Sequence, residues 1–184
     1  MKSIIRHLTI PAILILLLSP IPLLADSTSP IFDRSARFHP ISSKTGMVVS
    51  QEAIASRVGA DILSNGGNAI DAAVATGFAL AVTLPQAGNL GGGGFMLIHL
   101  AETGKTLAID YREMAPAAAH QALFLNEHEE VDEKRARFSH QSAGVPGTVS
   151  GLTHVLARYG TMSLQQVMLP AIALAEQGIQ ISDS

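Results

Sequence analysis

The sequence contains no cysteine. That excludes disulfides, a thiol nucleophile and a thiolate metal site, so burial alone must hold the fold together. Charge is also scarce, at 15% of residues, with 15 acids against 12 bases. No basic stripe stands out, so nucleic acid is not an expected partner. His39, His99, His120, His128, His140 and His154 never recur at i, i+3 or i, i+4, and no HExxH occurs, so no metal site is expected. There is no internal repeat and no motif for a cofactor.

Apolar residues are abundant, at 47% with a mean hydropathy of +0.31. Much of that excess lies at the N-terminus, where Lys2 and Arg6 precede LTIPAILILLLSPIPLLADS. Positive, then apolar, then small or polar is the order of a secretory signal peptide. Pro11, Pro20 and Pro22 and the shortness of the run argue against the alternative, a transmembrane anchor. Residues 1–25 are therefore expected to be cleaved after Ala25 or Ser27, with no stable membrane anchor left. Their removal takes away two basic residues and no acid, moving the net charge from −3 to −5. Residues 26–44 are polar and aperiodic and read as an extended arm, and 45–184 as the N-terminal portion of a truncated domain.

Within that portion MVVS at 47–50 is a short strand candidate. Ile54, Val58 and Ile62 form an apolar stripe that predicts a helix from Glu52, ended at Gly66. A second helix starts at Asn68, with Asp71 completing a capping-box pattern, and closes at Pro85. Its many small residues predict a buried partner in a helical hairpin. FMLIHL (95–100) and TLAID (106–110) predict a β-hairpin. Residues 126–137 mix both charge signs and read as a solvated loop. Two further helices are expected, one from about Pro146 to Tyr159 and one from Ser163 to Gly178, with Pro170 as a possible bend. The order of elements defines an α+β class. A two- or three-stranded sheet is a poor free-standing core, and ISDS at 181–184 closes no element, so the sequence is expected to be part of something longer.

Four consecutive glycines at 91–94 invite a phosphate-loop reading. The reading fails because Phe-Met-Leu follows where a P-loop needs Gly-Lys-Ser/Thr, and position 96 is Met where a dinucleotide fingerprint needs Gly. A phosphate loop also leads into a helix, and this one leads into a strand. GTVSG at 147–151 is not a nucleophile elbow, since position 148 is Thr. Arg112, in IDYREMAP, has a guanidinium suited to a carboxylate. On spacing alone the simpler reading is an internal pair with Asp110, which shares its face in an extended chain.

Taken together, DILSNGGNAIDAAVATGFALAVTLPQAGNLGGGGFMLI, AIDYREMAP, GVPGTVSGL and RYGTMSLQQVMLPAIALAEQG closely resemble the γ-glutamyltranspeptidase (glutathione hydrolase) family, over about Thr45 to Ser184. The resemblance implies the N-terminal portion of the large subunit of an N-terminal-nucleophile hydrolase, a four-layer αββα sandwich cut from a self-processing precursor. It implies γ-glutamyl compounds such as glutathione as donors, water, amino acids or peptides as acceptors, and a small subunit as partner. The nucleophile of such enzymes is the small subunit's N-terminal threonine, for which no threonine here substitutes, so no catalytic residue is expected in this chain and the chain alone should be inactive. Arg112 matches the arginine that binds the α-carboxylate of the γ-glutamyl group, which reverses the salt-bridge reading. With the signal peptide, the expected location is periplasmic or secreted. The alternatives are a related cephalosporin (glutaryl) acylase and a non-catalytic truncated remnant.

Overall fold

The computed structural model describes residues 40–180; the expected signal peptide, most of the expected arm and residues 181–184 lie outside that range. Residues 40–44, the described end of the arm, are exposed and irregular.

Helix α1 (Ala53–Ser64) begins where the Glu52 carboxylate accepts the Ala55 N–H at 2.8 Å. It ends as Gly67 N–H returns to the Ile62 carbonyl, with Gly66 at φ +89°. Helix α2 (Ala69–Thr83) starts on the expected capping box, in which Asn68 Oδ1 accepts from Ile70 and Asp71 while Asp71 accepts from Asn68 N. This helix is apolar nearly all round, the pattern of a helix enclosed by others. It packs against α1, against α4 (Thr148–Tyr159) and against α5 (Leu164–Gln177). Their core joins Val58 and Ile62, Val74 and Phe78, Leu152 and Leu156, and Val167. Each such side chain contributes roughly 1.5–3 kcal/mol by leaving water. Helix α4 starts two residues later than expected, and α5 continues through Pro170.

Strands β1 (Phe95–Leu100) and β2 (Lys105–Asp110) pair antiparallel, with Ile98 opposite Leu107 and Phe95 opposite Asp110. Along β1 the burial alternates. Met96 packs on the helical core and Ile98 is buried, while Phe95 and Leu97 face outward. The mixed helix-and-sheet class is as expected.

Two expectations need correction. Residues 47–50 are not a strand. Val48 packs on the helical core, but the segment pairs with no strand among the described residues, and an apolar stretch without a ladder partner stays irregular. Residues 126–137 are not simply a loop, because helix α3 (Glu133–Phe138) forms there. Asp132 caps it by accepting Arg135 N–H at 2.9 Å, an Arg137–Glu133 pair at 3.0 Å spans one turn, and the Arg135 guanidinium donates to the carbonyls of Leu123 and Leu125. These polar ties order a charged segment that apolar periodicity does not reveal.

Candidate functional site

Arg112 sits two residues past the end of β2, in an extended stretch that continues the hairpin. Tyr111 N–H donates to the Gly94 carbonyl at 3.0 Å, and Gly94 N–H returns to Tyr111 at 3.4 Å. Beyond Arg112, Met114 and Val145 exchange both backbone hydrogen bonds, at 3.2 and 2.8 Å. The backbone at 111–114 is thus seated between the glycine run on one side and residues 144–147 on the other.

The glycines make that seat possible. None of Gly91–Gly94 has the positive φ that glycine alone tolerates well, so they are not needed for handedness. They are needed for closeness. A Cβ on Gly93 would lie 2.7 Å from Arg112 Cα and from Glu113 N, and one on Gly147 or Gly151 would overlap the Tyr111 carbonyl or ring. Two of the four amides, Gly92 and Gly94, are also committed within the protein. Gly92 N–H donates to Asn89 Oδ1 at 2.9 Å, and the Gly92 carbonyl accepts from Gly147 and Thr148. With those two amides taken and a strand rather than a helix following, the run lacks the convergent N–H groups of a phosphate cradle.

The Arg112 side chain is 70% exposed, and among the described residues its only carboxylate neighbour is Glu113, at the 4.0 Å limit of an ion pair. The pair expected from spacing does not form. Asp110 Oδ1 instead accepts Arg112's own backbone N–H at 3.0 Å, a local turn that occupies the carboxylate and leaves the guanidinium unclaimed by it. An exposed fork of N–H donors beside one loosely held carboxylate can take a second carboxylate through parallel bonds. Tyr111 beneath it is half-buried, and that burial raises its phenol pKa, so it is neutral near pH 7.

Sequence reasoning missed the residues that build this seat. Thr148 is buried and donates to Asn89 Oδ1 at 2.6 Å, a contact between residues 59 apart in the chain. The spacing of Gly147 and Gly151, one helical turn apart, was the available signal for a close approach to α4.

The fold and site define a mixed α+β scaffold that presents one arginine at the end of a strand pair. Residues 55–184 match the family model described as Gamma-glutamyltranspeptidase. The chain belongs to the γ-glutamyltranspeptidase family. It is 55% identical over 147 residues to the glutathione hydrolase proenzyme of Escherichia coli K12, covering 80% of this chain and 25% of that protein. The crystal structure of Helicobacter pylori γ-glutamyltranspeptidase matches with a TM-score of 0.74 and 51% identity, over 78% of this chain and 41% of that one. A cephalosporin acylase from Bacillus halodurans matches at 0.73 with 29% identity, over 86% of this chain and 28% of that one. The chain spans about a quarter of the length of the curated relatives it matches.

Proposed function

We propose that this chain is part of the large subunit of an exported γ-glutamyltransferase, periplasmic or secreted, that cleaves glutathione and other γ-glutamyl amides. The observation that carries the reading is the exposed Arg112 guanidinium held in YREMAP by the glycine run, in a chain whose relatives are named glutathione hydrolase proenzymes. In this reading Arg112 receives the α-carboxylate of the γ-glutamyl donor. The donor's amide carbonyl is then held for the threonine at the new N-terminus of a small subunit released from the same precursor. The threonine hydroxyl attacks that carbonyl, its proton passes through the threonine's own amine to the leaving amine, and the amide bond breaks. Water, an amino acid or a peptide then takes the acyl group from the ester. The described helices and hairpin would be one side of a four-layer αββα sandwich completed by the small subunit.

The test is Arg112→Ala in the complete protein. A charge-assisted contact of about 1.5–3 kcal/mol predicts a rise in KM for γ-glutamyl-4-nitroanilide of roughly ten- to a hundredfold, with self-cleavage intact. An unchanged KM would remove Arg112 from the donor site. Residues 26–184 by themselves are expected to aggregate and to show no turnover of the same anilide; measurable turnover would contradict the assignment of the nucleophile to another subunit.

The acylase match favours a second reading, a glutaryl acylase. Glutaryl and γ-glutamyl groups share the distal carboxylate and differ by one amino group, so Arg112 suits both. Preference for glutaryl-4-nitroanilide over the γ-glutamyl compound would select the acylase.

A further inference from the structure

We infer that Thr148 is a positioning residue for Arg112, acting through Asn89 and the glycine run; this rests on the proposed role of Arg112 in carboxylate binding. The guanidinium makes no tight contact of its own, so the direction in which Arg112 projects is set by its backbone. That backbone lies against Gly93 with no room for a methyl group between them. The position of Gly93 follows from Gly92, whose two polar groups are both tied. Its N–H goes to Asn89 Oδ1 at 2.9 Å, and its carbonyl receives Gly147 N–H at 2.8 Å and Thr148 N–H at 3.0 Å.

Thr148 closes this node. It is the first residue of α4, one past the cap position, which Gly147 holds without any side-chain bond. The Thr148 hydroxyl donates to Asn89 Oδ1 at 2.6 Å, so one amide oxygen receives both Thr148 and Gly92. Two segments far apart in sequence are thereby locked together on either side of the Tyr111–Glu113 backbone. Without the hydroxyl, Asn89 Oδ1 keeps only the Gly92 N–H, and the glycine run is held on the start of α4 by the two bonds to the Gly92 carbonyl alone, a looser seat. Because Thr148 is buried beneath the seat, it acts on the donor only through Arg112.

The experiment uses the complete protein and two donors, γ-glutamyl-4-nitroanilide and 4-aminobutanoyl-4-nitroanilide, which lacks the α-carboxylate. Thr148→Val, which keeps the shape and removes the hydroxyl, should raise KM for the first donor about three- to tenfold with kcat little changed, the scale of one lost hydrogen bond. It should leave kcat/KM for the second donor unchanged, and Thr148→Ser should restore the wild-type KM. Combined with Arg112→Ala it should add nothing, because both act on one contact. Asn89→Ala, at an exposed position, makes the same test if Thr148→Val fails to fold. Equal losses for both donors, additivity in the double variant, or an unchanged KM while Arg112→Ala raises it would overturn the inference. An Arg112→Ala variant with normal KM locates the failure in the Arg112 assignment instead, and the positioning role falls with it.

Discussion

The helical layer and the strand pair of this chain are held in place by different physics. In the helices, side chains from α1, α2, α4 and α5 leave water together, and Asp71, the one fully buried charge among the described residues, is enclosed by donors. In the strand pair only Ile98 is buried, and Phe95 and Leu97 stay outside. There the order comes from backbone lying on backbone, through glycines that leave no gap. Burial tolerates small repacking, since a core of similar volume refills. A backbone seat does not, because one added methyl has nowhere to go. The helices therefore set stability, and the glycine seat sets where the Arg112 side chain points.

The largest expected effect lies at Asp71. Its carboxylate accepts from Asn68 N, Thr161 N, Thr161 Oγ1 and Met162 N, at distances from 2.6 to 3.2 Å, tying the start of α2 to the link between α4 and α5. Asp71→Ala strands those donors in the interior and should cost about 3–5 kcal/mol, read from the urea midpoint and slope of the complete protein. A loss below about 1 kcal/mol would mean that water replaces the carboxylate freely. The same group fixes a pH dependence. Burial raises its pKa, but the Thr161 hydroxyl and the Met162, Asn68 and Thr161 amides outweigh that and hold it below the ordinary value of 3.8. A depressed folded pKa stabilises the fold fully above the ordinary value, and that contribution disappears as pH falls through the folded value. Stability should therefore fall below about pH 4 in the wild type, and Asp71→Asn should flatten that acid limb. An unchanged limb would assign it to other carboxylates.

These two regions were not equally legible in the sequence. Asn68 with Asp71, and Ser163 with Gln166, announce helix starts because a cap acts within one turn. FMLIHL and TLAID announce a hairpin because their turn is local. The same capping-box pattern at Asp71 says nothing of Thr161, because that partner is 90 residues away. Likewise the Asn89–Thr148 tie leaves no local trace, and α3 depends on the reach of Arg135 to carbonyls outside its own segment. For Arg112, spacing favoured a pair with Asp110, and only the family resemblance pointed to a ligand role. The structure removes that pair, because Asp110 accepts the backbone N–H of Arg112 instead.

A mid-sized effect should appear where the two regions touch. Gly151 faces the Tyr111 ring from α4, and a Cβ there would overlap it. Alanine normally improves a helix by about 1 kcal/mol over glycine. Here Gly151→Ala should instead destabilise by roughly 1–3 kcal/mol through overpacking, and should raise KM for a γ-glutamyl anilide because Tyr111 carries Arg112 with it. A net gain in stability at normal KM would show that the ring moves aside without disturbing its neighbour.

The smallest effect is the cleanest check on the separation. At the start of α5 the Ser163 hydroxyl lies 3.3 Å from Gln166 N, while Gln166 Oε1 accepts Ser163 N–H at 2.9 Å. Ser163→Ala removes the first of these contacts, together with the exposed 2.8 Å bond from the hydroxyl to Gln166 Oε1, and leaves the second, so the loss should be about 0.5–1 kcal/mol, near the low end for a cap. Because α5 packs on α2 and the cap lies in the helical layer, this loss should leave KM for the donor unchanged. A shift in KM from so remote and slight a change would mean that the glycine seat depends on the helical layer beneath it. In that case the losses at Asp71 would also have to appear as changes in donor binding, in proportion to their larger size.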